Sequence, residues 1–249
     1  MTIWAIADLH FSFGVPGKKM DVFGDHWHDH DKKIRKSWEA VIQPDDLVLI
    51  PGDISWAMKI KDVIPDLEWI DSLPGTKVMI RGNHDYWWGT QSKVAEVLPP
   101  TIHAIHNNVY KWNNFEIGGV RLWDSDFSFN EFIEFKENPR ANKILLEQAE
   151  NHEENLRIYN RELIRLEMSL KCFKDPDCQR IVMTHYPPVD DQMNPSPASD
   201  LLEKYNVSIC VFGHLHNVPH GALPFGEKRG VRYVFASCDY LDFKPIKIA

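Results

Sequence analysis

Asp46-Leu47-Val48-Leu49-Ile50-Pro51-Gly52-Asp53 is the stretch that decides how this chain folds. A continuous apolar run, ended by Pro-Gly, reads as a strand buried on both faces, the habit of sheets covered by helices. Working outward, residues 2–7 read as a second buried strand with Asp8 at its end, and Lys77-Val78-Met79-Ile80 as a third, ended by Arg81-Gly82. Between them lie helical spacings. Residues 32–43 carry Ile34, Trp38, Val41 and Ile42 on one face, with Asp31 as N-cap. Residues 62–73 read as helix with Pro65 in the first turn, where proline is tolerated. The order β-α-β-α-β predicts a layered α/β sheet.

Beyond residue 100 the pattern shortens. His103 to Tyr110, Phe115-Glu116-Ile117 and Val120-Arg121-Leu122-Trp123 read as short strands, with Asn113-Asn114 and Gly118-Gly119 as turns. Residues 124–140 are aromatic-rich and irregular. Over 141–171, Leu145, Ala149, His152, Leu156, Tyr159, Leu163, Leu166 and Leu170 recur at steps of four and three, which predicts a long helix or helix pair with one apolar stripe. That stripe packs on its own domain, forms a dimer seam, or belongs to a mobile lid. Arg180–Thr184 and Val207–Phe212 read as strands around a Pro- and Asp-rich loop at 187–197, and the tail at 218–248 alternates turns with short strands.

Composition narrows the class. The 249 residues are 43% hydrophobic and 26% charged, which suits one large α/β domain with a real core. No run approaches the roughly 20 apolar residues of a membrane span, and the N-terminus reads as a first strand and not as a signal peptide. The net charge of −8 argues against gripping long nucleic acid by its phosphates. It is compatible with a small phosphorylated substrate, because bound divalent cations supply the local positive charge. Cys172, Cys178, Cys210 and Cys238 form no C-x-x-C pair, so free thiols in a reducing cytoplasm are expected. Cys210 and Cys238 sit in apolar runs and read as small core side chains.

Chemistry gathers at the strand ends. Asp8-Leu9-His10, Gly52-Asp53, Gly82-Asn83-His84-Asp85, His185 and Gly213-His214-Leu215-His216 each follow a predicted strand. Open α/β sheets bind ligands outside the carboxyl ends of their strands, so these segments point carboxylate, amide and imidazole groups at one place. Mixed carboxylate and imidazole donors favour Mn, Fe, Zn or Co over Mg or Ca. The glycines before Asp53, Asn83 and His214 suit sharp turns that bring backbone close to a metal cluster.

The series D-x-H, G-D, G-N-H-D, H and G-H-x-H, in that order from residue 8 to residue 216, resembles the calcineurin-like metallophosphoesterase superfamily and its bacterial phosphohydrolases. The resemblance implies an α/β fold: a four-layer α-β-β-α sandwich, two mixed sheets flanked by helices, in a single domain over 1–249 with a helical insertion or lid at 134–172. It implies two divalent ions. Asp8, His10 and His216 would hold the first, Asp53 would bridge, and Asn83, His185 and His214 would hold the second. A bridging hydroxide would attack a phosphodiester or phosphomonoester, with His84 as general acid oriented by Asp85. Two ions about 3.5–4 Å apart suit such an in-line displacement, and a histidine near neutrality suits acid catalysis. The expected partner is a small phosphorylated substrate, with no membrane and no nucleic acid; a homodimer through the helical insertion stays open.

Several features depart from the pattern or exceed it. Many relatives carry further charged residues after the G-D pair, but here Asp53 is followed by Ile54-Ser55-Trp56-Ala57-Met58. His26, His28 and His30 read as a solvated loop, a pocket lining or an adventitious metal site. Tyr86-Trp87-Trp88 reads as core or as a flat wall of the site. Arg81 and Arg121 read as surface pairs or as phosphate contacts. The pocket walls are expected from 11–30, 54–60, 86–92, 124–140 and 186–198. Two other functions compete: a non-catalytic metal-binding scaffold that recruits protein partners, and a nuclease. The complete ligand set with His84 speaks against the first, and the net acidity against the second.

Overall fold

A computed structural model describes residues 1–124, 129–133, 152–223 and 225–249. The apolar run quoted above is β2 (Leu47–Ile50), with all four side chains fully buried. It pairs in parallel with β1 (Ile3–Ala5) on one side and β3 (Thr76–Met79) on the other. β4 (Ile102–Ala104) continues the parallel set, and β11 (Ile246–Lys247) closes the far edge antiparallel to β1. The second sheet runs β5 (Tyr110–Trp112), β6 (Phe115–Val120), β7 (Gln179–Thr184), β8 (Ile209–Phe212), β10 (Val231–Phe235), β9 (Glu227–Lys228). Its four central strands are parallel and its two edges antiparallel.

Alternation along the strands builds the layers. Val48, Ile50 and Met79 pack with Ile34, Trp38 and Leu67 of helices α1 (His30–Val41) and α2 (Ile60–Asp71); Val94 of the short α3 (Gln91–Ala95) joins them. Leu47, Leu49 and Val78 turn the other way and meet Ile181, Met183 and Val211 between the sheets. Val182, Cys210 and Phe212 pack with Leu166 and Leu170 of α4 (His152–Leu170) and Leu202 of α5 (Pro197–Lys204). The result is two mixed sheets face to face, flanked by helices.

Several local expectations shift. The first helix starts at His30, so Asp31 lies in its first turn and is not the N-cap; Asp29 precedes the helix with a left-handed φ of 51° and makes no side-chain cap. His30 is anchored at that start by its Nε2, 3.0 Å from the Leu9 carbonyl oxygen. α2 starts at Ile60, so Pro65 falls in the second turn, where its missing N–H leaves a helical carbonyl without its usual donor. Gly118-Gly119 is no turn but lies inside β6. A Cβ on Gly119 would sit 2.6 Å from the Met183 carbonyl oxygen, and one on Gly118 3.0 Å from Phe173 and Ser169, so close packing explains both glycines. The expected strand from His103 to Tyr110 survives only at its ends, as β4 and β5.

Tyr159, Leu166 and Leu170 of the apolar stripe are buried and Leu163 partly so, whereas Leu156 is 45% exposed. Leu145, Ala149 and the rest of the expected insertion before residue 152 lie outside the described residues. Among the described residues, no helix is long and apolar enough to cross a membrane.

One buried carboxylate ties the fold to the loops that matter. Asp66 of α2 accepts a hydrogen bond from Phe13 N at 2.7 Å and another from Ser55 Oγ, joining the segments that follow β1 and β2. Burial pushes its carboxyl up from 3.8 to about 6, against hydrogen bonds from Ser55, Phe13 and Gly14 that favour the charged form. The folded state therefore holds this proton more tightly than the unfolded chain. The stabilisation is complete below 3.8 and is lost as pH rises through about 6. The displacement corresponds to about 3 kcal/mol at roughly 1.36 kcal/mol per pH unit. Asp66→Asn keeps the shape without the charge, so its stability relative to the parent should rise between about pH 4 and 7, by up to about 3 kcal/mol. Urea unfolding of both metal-free proteins across that range measures this, and parallel stability profiles would refute it.

Candidate metal centre

Parallel strands deliver their carboxyl ends to one edge of the sandwich. Asp8 and His10 follow β1, Asp53 follows β2, and Asn83 with His84 follows β3; His185 follows β7, and His214 with His216 follows β8. The two sheets are joined at this edge by a parallel bridge between Ala7 and Ser237. Ala7 N donates to Ala236 O at 2.7 Å and Cys238 N to Ala7 O at 3.0 Å. Asp8, His10, Asp53 and His214 all take left-handed backbone, with φ of 61°, 48°, 52° and 74°. Gly82 and Gly213 make room for them: an added Cβ would lie 2.0 Å from Asp53 Oδ1 and 2.3 Å from Asp8 Oδ2 respectively.

The donor atoms converge in overlapping groups. One ligand atom each from Asp8, His10 and His216 lies within 4.8 Å of the others, and the same holds for Asp8, Asp53 and His185. Asp53 Oδ2 is 3.7 Å from His10 Nε2 and 3.5 Å from His185 Nε2. His10 Nε2 faces His216 Nε2 at 3.1 Å. Asn83 Oδ1 is 2.6 Å from His185 Nε2 and 3.1 Å from His214 Nδ1. His84 borders the cluster, its ring 5.6 Å from that of His10, and its backbone N–H donates to Asp53 Oδ1 at 2.8 Å. All eight side chains singled out as ligands or acid are thus brought together.

The electrostatics fit a cation. Burial disfavours charge on Asp8 and holds its carboxyl above the usual range. For Asp53 the neighbouring His185 and His10 outweigh burial and hold the carboxyl well below it. Burial opposes the charge on His185 and His216, but carboxylates beside each outweigh it and raise both imidazoles. Burial lowers His10 and His214, which face other imidazoles. Buried charges of this kind are tolerated when paired or coordinating a metal. Two imidazole nitrogens 3.1 Å apart, with oxygens of Asp8 and Asp53 nearby, form a donor set that suits divalent cations.

The supporting contacts were only partly foreseen. His185 Nδ1 lies 2.9 Å from Pro51 O, which leaves Nε2 for the cluster. His216 Nδ1 is 3.0 Å from Asp239 Oδ1, and Ser237 Oγ donates to Asp8 Oδ2 at 2.6 Å. Ser237 and Asp239 are not among the residues the sequence points to; their signal is another strand end, after Val234-Phe235, inside a tail that reads as turns alternating with short strands. Asp85 makes no hydrogen bond to His84 among the described residues. Its carboxylate accepts from Gly82 N, Ile54 N, Ser55 N and Trp87 Nε1, at 2.8 to 3.1 Å, so it fixes the loops that carry Asp53 and His84. Trp87 and Trp88 are core residues, and only Tyr86 stands exposed. In the histidine-rich loop, buried Trp27 meets His10 and His216 edge-on, at 6.1 and 5.6 Å, whereas His28 pairs with Asp21 and Asp29 at the surface. Arg121 reaches Glu162 at 3.5 Å and stacks its guanidinium 4.4 Å over Trp123.

Comparison with known proteins is consistent with this geometry. The sequence profile described as calcineurin-like phosphoesterase matches residues 1–218. The gene 66 protein of Mycobacterium phage L5 is 38% identical over 84 residues, which is 33% of this chain and 39% of that protein. Its counterpart in phage D29 is 32% identical over 83 residues, 33% of this chain and 40% of that protein. The matched stretches thus span about two fifths of these relatives. A solved phosphopantetheinyl hydrolase from Mycobacterium tuberculosis shares the fold, with a TM-score of 0.53 at 16% identity, covering 99% of this chain and 95% of that one.

Metal binding should be visible in stability. Re-adding Mn²⁺ or Zn²⁺ to chelator-treated protein at about 100 times the dissociation constant contributes about 2.7 kcal/mol. At about 2–4 °C per kcal/mol for a chain of this size, the unfolding midpoint should rise by about 5–10 °C. In Gly82→Ala, whose methyl group displaces the Asp53 carboxylate, most of that rise should vanish. Thermal melts with and without metal test this; an equal rise in both proteins would be inconsistent with the cluster as the binding site.

Proposed function

The chain belongs to the calcineurin-like phosphoesterase family, and on that premise we propose that it is a metal-dependent hydrolase of small phosphoesters. The observation that carries this reading is Asp53, whose Oδ2 is 3.7 Å from His10 Nε2 of the first sheet and 3.5 Å from His185 Nε2 of the second. A carboxylate so placed can serve two cations. Asp8, His10 and His216 would hold one, Asn83, His185 and His214 the other, with Asp53 common to both. Bound Mn, Fe, Zn or Co would supply Lewis acidity and lower the pKa of water towards neutrality.

The chain's own residues supply the remainder. Asp239 and the Pro51 carbonyl fix which ring nitrogen of His216 and His185 faces the cluster. His84 is proposed as the general acid that protonates the leaving oxygen. Its Nδ1 is buried and makes no hydrogen bond among the described residues; burial favours the neutral ring, and the negative charge of a bound phosphoester would favour the protonated one. Asp85 is proposed to act on His84 through the backbone of their shared loop and not by direct contact. No nucleophilic serine or cysteine is required; the buried thiol of Cys238 is engaged with Asp8 O at 3.0 Å.

His84→Ala should keep its metals and lose about 10²–10⁴ in kcat, the usual contribution of general acid catalysis. Metal analysis beside turnover of 4-nitrophenyl phosphate and bis-(4-nitrophenyl) phosphate gives the test, and also settles monoester against diester. Wild-type rates in the variant would remove His84 from the mechanism. Inactivity of the metal-loaded parent on both esters and a broader panel would favour a metal-binding scaffold.

A further inference from the structure

The His84 side of the cluster carries aromatic rings that hydrolysis itself does not need. Trp56, in the uncharged stretch that follows Asp53, has its ring 4.5 Å from that of His84 and stacks on His10 at 5.1 Å and 23°. Its indole N–H donates to Met20 Sδ at 3.1 Å, which pins the ring. Phe23 lies parallel to Trp56, with centroids 6.3 Å apart and planes within 6°. Tyr86 flanks His84 from another direction, 6.2 Å away at 77°. Lys18 reaches the same corner, its Nζ 3.3 Å from Trp56 O and 5.8 Å from the indole centroid.

Phe23 and Tyr86 are 47% and 52% exposed, and Met58, two residues past Trp56, is 50% exposed. Among the described residues the exposed aromatic side chains are Phe13, Phe23 and Tyr86, and two of the three flank this corner. Water-facing rings gathered at the mouth of a polar site mark a surface that a ligand covers. Flat rings prefer flat partners in offset or edge-on contact, and a lysine adds attraction for a π face.

The geometry points to a leaving-group platform: this chain takes phosphoesters whose leaving group carries a planar aromatic ring, seated against Phe23 and Tyr86. The inference rests on the hydrolytic reading above, since it is the proposed acid His84 that identifies this as the leaving-group side. The phosphoryl group lies at the metal cluster, the ester oxygen meets His84, and the ring extends over the aromatic corner. Stacking of one ring on an aromatic side chain contributes about 1–3 kcal/mol, which is roughly five- to 150-fold in affinity.

Phosphonates, which are not hydrolysed, test this by equilibrium binding to the metal-loaded protein. Isothermal titration should show benzylphosphonate binding about tenfold more tightly than methylphosphonate, and more tightly than cyclohexylmethylphosphonate, which is apolar without being flat. Phe23→Ala and Tyr86→Ala should each reduce the benzyl-to-methyl ratio about fivefold, and Tyr86→Phe should retain it. Equal affinities, a cyclohexylmethyl ligand as tight as the benzyl one, or a ratio unchanged in both alanine variants would overturn the platform. Turnover of the nitrophenyl esters, measured in parallel, separates the two readings. Intact turnover without ring preference sinks the platform alone, and absent turnover with no phosphonate binding sinks both.

Discussion

A buried carboxylate facing imidazoles from both halves of the sandwich is the contact on which the rest depends. His10 reaches Asp53 from the first sheet and His185 from the second. A charge so deep costs several kcal/mol unless its partners are in place, so the cluster requires the two sheets to meet in one register. The bridge between Ala7 and Ser237 fixes that register next to Asp8. A slip of one residue in β1 would turn Ile3 and Ala5 out of the inter-sheet core and carry Asp8 away from Ser237. Core packing and the metal cluster thus impose the same alignment.

Alignment alone does not aim the side chains. Left-handed backbone at Asp8, His10, Asp53 and His214 costs of order 1–3 kcal/mol at each position. Surrounding contacts hold these turns. Asp85 binds four N–H groups from the loops after β2 and β3. Asp66 of α2 ties the loop after β2, through Ser55, to the segment after Asp8, through Phe13. Ser237 and the backbone N–H of His214 both donate to Asp8, so that carboxylate also holds the β8 turn. Buried acids do this work because an ionised carboxylate can accept several bonds at once, and burial holds Asp85 and Asp66 above their usual range as a consequence.

The sequence was legible where periodicity and chemistry coincide. Leu47 to Ile50 could only be a two-sided strand, and polar residues just past such strands could only gather at one edge. That logic put Asp8, Asp53, Asn83 and the histidines at one edge without any knowledge of distances, and the folded chain has them there. It failed where identical residue types serve different ends. Gly118-Gly119 looks like a turn in one dimension, yet the glycines exist because Met183 and Phe173 press against β6. Asp85 looks like an orienting partner for its neighbour His84, but adjacent side chains diverge, and its carboxylate points into the backbone beneath. Asp239 was invisible because the tail reads as turns alternating with short strands, and nothing marks which of those strands ends at the cluster. The uncharged stretch after Asp53 marked a departure from the family pattern, but only the folded chain places its Trp56 beside His10, His84 and Phe23.

The two flanks of the cluster are built from different parts of the chain, and this separates their tasks. The His84 flank comes from the loops of the first sheet, around Phe23, Trp56 and Tyr86, and opens to water. On the His214 flank the Tyr186 ring lies 3.9 Å from the imidazole, Trp123 is 5.0 Å from Tyr186, and the Arg121 guanidinium covers Trp123 at 4.4 Å. Arg121 then meets Glu162, a buried acid of α4 that Arg165 also binds at 2.7 Å. A continuous line of stacked and charged groups therefore runs from the cluster to α4. The open flank also touches a proposed ligand, because Trp56 stacks on His10, but its outer rings, Phe23 and Tyr86, face water. One flank is therefore open and lined by water-facing rings, and the other is closed by stacked and ion-paired groups.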